Sequence, residues 1–260
     1  MDVSASKLRQ VKCSLLQAVE KVYSDFAMSV VVFQHEANEP AEVLGAALTA
    51  HGHRLRTITL YDAEQVPIDL DDIEGIISMG GPMNLDQPNG HDWMEPEMAC
   101  IRRAHDRGLA IVGICLGHQL IAKALGGDVE LMPEPEVGFE LVQLTFAGTI
   151  DPVMAGITWQ TPQVHMHGHQ VVKLPDQATP LAQSARCKTQ AFKVGMRTYG
   201  FQYHLEWDRP AIARHSDNDL VGQSPISQQD IGRQCQQNYD HFRHMGDRLC
   251  RNIAQLLFGG

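Results

Sequence analysis

The chain has 260 residues, with 31 acidic side chains against 21 basic ones and a formal net charge of −10 at pH 7. That balance argues against nucleic acid as a partner, because such binding relies on Lys and Arg neutralising phosphates, and the chain has no basic run and no cluster of stacking aromatics. No apolar run is long enough to cross a membrane, and the length suits one large domain or a domain with an appendage.

The first 27 residues, "MDVSASKLRQVKCSLLQAVEKVYSDFA", are not a secretory signal, since Lys12, Gln17, Glu20 and Lys21 break any apolar stretch. A cytoplasmic location is therefore expected. Leu8, Val11, Leu15, Ala18 and Val22 form a weak amphipathic stripe, so residues 1–27 read as a helical, dispensable N-terminal extension, with Met28 as an alternative start. The cysteines (Cys13, Cys100, Cys115, Cys187, Cys235, Cys250) form no C-x-x-C pair and are expected to be free thiols.

From residue 28 onward strands and helices alternate. "SVVVFQ" (29–34) is a buried strand, and "PAEVLGAALTAHG" (40–52) a helix with proline near its start and glycine at its end. "RLRTITL" and "IEGIISMGG" are strands, "DWMEPEMACIRRAHDRG" a helix, "LAIVGIC" a strand and "LGHQLIAKALGG" a helix. This order implies right-handed crossovers and a mostly parallel sheet covered on both faces, with sites beyond the carboxyl ends of its strands. After Glu130, "VGFELVQLTF", "QVHMHGHQVVKL", "QAFKV" and "TYGFQYHLEW" read as strands. Residues 211–260 read as a helical tail packed on the same domain (28–210), broken near Gly246, with Leu249, Ile253, Leu256 and Leu257 on its apolar side.

"GICLG" (113–117) has the G-x-C-x-G spacing of a nucleophile elbow, a sharp strand-to-helix turn that lifts a nucleophile out of a sheet. The turn puts the Cys115 sulfur at a helix N-terminus, which favours the thiolate, and aims the Leu116 N–H at a developing oxyanion. A buried strand-end cysteine beside a helix-packing glycine would read the same way. In "YGFQYHLEWD", His204 and Glu206 fall on one face of a strand, so that the carboxylate can orient a general base; a surface His–Glu pair also fits. In "SMGGPM" (78–83), Gly81 offers a second oxyanion donor.

Taken in this order, "SMGGPMN", "GICLGHQLIAKALGG" and "GFQYHLE" resemble the class I (triad-type) glutamine amidotransferase family, over most of residues 29–208. The resemblance is nearest to stand-alone members similar to the amidotransferase domain of GMP synthase. It implies a flavodoxin-like α/β three-layer sandwich. It also implies a Cys115 nucleophile, His204 as base then acid, Glu206 as orienting carboxylate, and Gly81 and Leu116 as the oxyanion hole. Gln119 and the backbone around Gly138 and Phe139 would hold the amino-acid end of the substrate. The family has proline where Leu205 stands, and stand-alone members often have aspartate where His169 stands.

The reaction so implied is hydrolysis of a γ-glutamyl amide through a thioester, with no metal or organic cofactor. No synthetase domain follows residue 210, so ammonia would go to a separate acceptor enzyme. The alternatives are a free-standing γ-glutamyl peptidase and a catalytically silent binding protein. His165, His167 and His169 alternate as metal ligands could. Gly168 suggests a loop and no carboxylate stands nearby in sequence, so no metal site is expected. His118 should pack near the pocket, and His241 and His244 should lie on a solvated helix face.

Overall fold

The computed structural model describes residues 28–85 and 91–259. The expectations for the extension 1–27, Cys13 included, lie outside the described residues. The parallel part of the fold contains β1 (Ser29–Gln34), α1 (Glu42–Ala50), β2 (Leu55–Thr59), β3 (Ile73–Ser78), α2 (Met94–Asp106), β4 (Ala110–Ile114) and α3 (Leu116–Ala124). Then follow β5 (Asp128–Leu144), α4 (Phe146–Ile150), β6 (Gln160–Lys173), β7 (Ala178–Gln183), β8 (Ala191–Val194) and β9 (Thr198–Phe201). Two short helices, α5 (Arg209–His215) and α6 (Asp219–Gly222), lead into the long α7 (Gln228–Asn252) and a terminal π-helical stretch, Ile253–Phe258.

All nine strands form one sheet in the order β2-β1-β3-β4-β9-β8-β7-β5-β6. The half from β2 to β9 is parallel, in the flavodoxin-like arrangement expected, and the half from β9 to β6 is antiparallel. β1 shows why the chain layers as it does. Its side chains alternate, with Val30 and Val32 packing beneath α1 and α7, and Val31 and Phe33 packing beneath α2 and α3.

Four details differ from the sequence reading. α7 runs unbroken through Gly246, which lies so close to the Leu205 carbonyl that a Cβ there would be 2.9 Å from the oxygen. β6 continues through Gly168, because it pairs with β5 on both sides of that residue. β5 begins well before Val137 and accommodates Pro133 and Pro135 through a register shift between Leu131 and Glu136. β9 stops at Phe201, so His204 and Glu206 lie in irregular chain rather than on a strand face. Leu249, Ile253 and Leu257 are buried in the core as expected, while Leu256 is exposed. Among the described residues no helix is long and apolar enough to cross a membrane.

Candidate active site

At the end of β4 the chain turns sharply, and Cys115 carries the strain of that turn at φ 51° and ψ −102°. The flanking glycines are there for want of space. A Cβ at Gly113 would lie 2.4 Å from the Gly117 carbonyl oxygen, and one at Gly117 would lie 2.0 Å from that of Ser78. The turn is tied to its neighbours on both sides: the Cys115 N–H donates to the Phe201 carbonyl (2.8 Å) and the Gly117 N–H to that of Met79 (3.1 Å). The thiol is nearly enclosed, with Sγ 3.8 Å from the Met166 carbonyl. Burial, followed by the charges of Glu39 and Glu206, pushes its pKa well above the ordinary thiol value; the nearby Leu116 N–H and Gln202 amide only partly oppose this. The resting group is therefore a thiol. Desolvation thus works against the thiolate that a helix terminus favours.

His204 Nδ1 lies 2.8 Å from Glu206 Oε1, and both residues are buried. The contact depends on how the loop after β9 is held. The His204 N–H donates to the Val164 carbonyl (2.9 Å). Arg243 of α7 donates to the carbonyls of Leu205 (3.1 Å) and Trp207 (2.8 Å), so it clamps both sides of Glu206. Leu205, in the place of the family's proline, is buried in the core. The His204 ring stacks on Trp207 (3.7 Å between centroids), which stacks in turn on His215 (4.3 Å). Burial lowers His204 to about 4, against an opposing pull from Glu39, and raises Glu206 to about 8.

The glycine loop after β3 rests on a buried network that the sequence does not disclose. His35 Nε2 meets Glu97 Oε2 at 2.8 Å, His35 Nδ1 donates to the Gly80 carbonyl (3.2 Å), and the Ser78 hydroxyl donates to Glu97 Oε1 (2.6 Å). Burial lowers the His35 pKa, but the Glu97 charge and hydrogen bonds outweigh it and raise it overall, as a doubly donating imidazolium requires. Gly80 also leaves room for the ring it faces: a Cβ there would lie 3.0 Å from His204 Cε1 and 3.1 Å from Glu39 Oε2. Glu39 is the carboxylate that sequence reading misses. It is buried, Oε2 has no hydrogen-bond partner, and burial raises its pKa to about 7. Its position after β1, next to a proline, carries no chemical signature in the sequence.

Cys115, His204, Gly81, Leu116 and Gln119 line one cavity of about 770 Å³ at the carboxyl ends of the strands, together with Glu39. Gln119 Nε2 donates to the His169 carbonyl and to Gln202 Oε1, both at 3.3 Å. Gly138 and Phe139 are not part of this lining, contrary to expectation. The Phe139 N–H is taken by Gln234 Oε1 of α7 (2.9 Å), and the Phe139 ring packs edge-on against Phe242. His118 is fully buried against Phe192, outside the lining, and His241 and His244 are exposed. The carboxylate missing beside the histidine run is supplied across the sheet by Glu136, whose Oε2 lies 3.0 Å from His167 Nε2.

Fold and site together define an α/β protein with an elbow cysteine and a buried His–Glu pair opening on one strand-end cavity. The chain belongs to the class-I glutamine amidotransferase family, whose sequence pattern matches residues 16–214. It is 31% identical over 200 residues to the glutamine amidotransferase-like protein YfeJ of Salmonella typhimurium, covering 75% of this chain and 83% of that one. It is 30% identical to a glutamine-hydrolysing GMP synthase subunit of Halobacterium salinarum, covering 64% and 80%. Among solved structures, SMU.1228c superposes with a TM-score of 0.76 at 28% identity, covering 88% of this chain and 99% of that one. A glutamine amidotransferase from Methylobacillus flagellatus shares the fold, with a TM-score of 0.77 at 22% identity, covering 88% and 93%.

Proposed function

We propose that the chain hydrolyses the γ-amide of glutamine through a γ-glutamyl thioester on Cys115. The observation that carries this reading is that the strained elbow thiol and the imidazole paired at 2.8 Å with Glu206 open on the same cavity. In the reactive form Nδ1–H of His204 donates to the Glu206 carboxylate, leaving the Nε2 lone pair free. As sulfur attacks the γ-carbonyl, His204 takes the thiol proton, and the oxyanion is held by the N–H groups of Gly81 and Leu116. That proton then goes to the departing nitrogen, releasing ammonia and leaving the thioester. Water, deprotonated by His204, cleaves the thioester to glutamate and restores the thiol. Several relatives are named as glutamine-hydrolysing GMP synthase subunits, which supports a separate synthetase as acceptor of the ammonia.

A second reading has one observation in its favour. The Asp and Glu side chains on the cavity (Glu36, Glu39, Asp217, Asp219) are joined by no Lys or Arg among the described residues. Such a lining suits a γ-glutamyl compound whose leaving group is a cationic amine.

The test is ammonia and glutamate release from glutamine by the purified chain, with γ-glutamyl amines and γ-glutamyl peptides in parallel and intact-mass detection of the acyl-enzyme. Wild type should release equimolar products and carry a γ-glutamyl adduct, and Cys115→Ala should lose both. Turnover of a γ-glutamyl amine without turnover of glutamine selects the second reading. Equal rates for wild type and Cys115→Ala would remove the mechanism.

A further inference from the structure

Behind the catalytic cavity, β5 and β6 bring together three buried donors that the reaction above does not use. His167 Nε2 lies 3.0 Å from Glu136 Oε2, His165 Nδ1 lies 3.4 Å from His167 Nε2, and His165 Nδ1 lies 3.7 Å from Glu136 Oε2. All three side chains are at most 1% exposed. The strand register explains the convergence: Glu136 pairs directly with His167, and His165 follows on the same face two residues earlier.

We propose that Glu136, His165 and His167 bind a divalent cation of the zinc class. An ion equidistant from three atoms at these separations would sit about 2.0 Å from each, matching zinc-to-imidazole and zinc-to-carboxylate bonds of about 2.0–2.2 Å. The donor set, two imidazoles and one carboxylate, suits zinc or cobalt rather than magnesium or calcium.

The proton inventory leaves room for the ion. His167 Nδ1 lies 2.9 Å from the His169 carbonyl, which can only accept, so Nδ1 carries the hydrogen. His167 Nε2 then faces the Glu136 carboxylate across a gap that a second proton, as at His35, or a metal cation can fill. A metal ion there would engage His165 Nδ1 as well as His167 Nε2 and Glu136 Oε2. The outer contacts are those of a supported metal site. Glu136 Oε1 accepts from the Ser184 hydroxyl (2.6 Å), Glu136 Oε2 accepts from the Gln190 amide (2.5 Å), and the His169 carbonyl orients His167. Arg186 comes no nearer than 3.9 Å to Oε1. His167 lines the cavity, which gives an ion a route in. Once bound, the ion ties β5 to β6 beside Met166, whose carbonyl touches the Cys115 sulfur.

The experiment is titration of chelator-stripped protein with Co²⁺ and Zn²⁺, following visible absorption, stoichiometry and melting temperature. Wild type and Cys115→Ala should each take up one equivalent of Co²⁺, with tetrahedral ligand-field bands and no thiolate charge-transfer band, and Zn²⁺ should raise the melting temperature. His165→Gln and Glu136→Gln should bind at least about tenfold more weakly. Should either variant fold poorly, the wild-type cobalt spectrum still decides. Absence of a stoichiometric ion, a charge-transfer band that disappears with Cys115→Ala, or undiminished uptake by folded His165→Gln would each overturn the assignment.

Discussion

Gly117 lies directly beneath the carbonyl of Ser78, close enough that a Cβ at residue 117 would be 2.0 Å from that oxygen. Both partners are backbone, so the clash cannot be relieved by a rotamer change, and β3 and α3 would have to separate at the elbow. Gly117→Ala is expected to destabilise the fold by about 2–3 kcal/mol. Urea melts with an unchanged m-value check this; a loss below about 0.5 kcal/mol would show that the elbow is not closed by this contact.

Arg243 connects the C-terminal helix to the proposed catalytic loop by holding the Leu205 and Trp207 carbonyls on either side of Glu206. Arg243→Ala leaves two carbonyls without their charged donor and frees the loop that presents His204. We expect a loss of about 2 kcal/mol in stability and a fall in kcat for glutamine of at least about tenfold, with KM changed less, because positioning rather than binding is lost. A kcat equal to wild type would separate the tail helix from the site.

What can be read from the sequence is what is local. The alternation of β1, the G-x-C-x-G turn and the His-x-Glu pair are short-range patterns, and the fold places them beside one cavity. What cannot be read depends on pairing across the sheet or on space. Glu39 and His35 gain meaning only because β1 lies beside β3, and Glu136 meets His165 and His167 only through the β5–β6 register. The His204–Glu206 contact is expected from strand geometry but arises in an irregular loop held by Arg243. The family resemblance places Phe139 at the substrate, and nothing in its own segment reveals that Gln234 takes its N–H.

His118 gives the fold a particular response to acid. It is fully buried against Phe192, and burial lowers its pKa from the ordinary 6.5 to about 3. The unfolded chain therefore binds a proton at this residue below about pH 6.5, while the folded chain does not until about pH 3. Its contribution to stability is full above pH 6.5 and is lost as pH falls through that window. The raised carboxyls Glu39 and Glu206 act in the opposite sense and are common to wild type and variant. Between pH 6.5 and 5, His118→Gln should lose roughly 1–2 kcal/mol less stability than wild type, the slope approaching about 1.36 kcal/mol per pH unit once the unfolded imidazole is protonated. Parallel pH–stability curves in chemical denaturation would contradict this.

Glu39 and Glu206 both act on His204, and their ionisation sets when the imidazole can accept charge. Ionised Glu39 raises the His204 pKa and so, in the proposed mechanism, would stabilise the imidazolium formed during attack. With Glu39 at about 7 and Glu206 at about 8, kcat/KM for the wild type should rise with pH across that interval as each carboxyl loses its proton. Glu39→Gln is isosteric and cannot ionise, so its rise should depend on Glu206 alone and move up toward about 8. At pH 7 the variant should be about tenfold slower, equivalent to about 1.4 kcal/mol of lost transition-state stabilisation. The decisive measurement is the full pH dependence of kcat/KM for both proteins. Superimposable profiles would mean that Glu39, although buried beside the imidazole, is not coupled to the proton transfer.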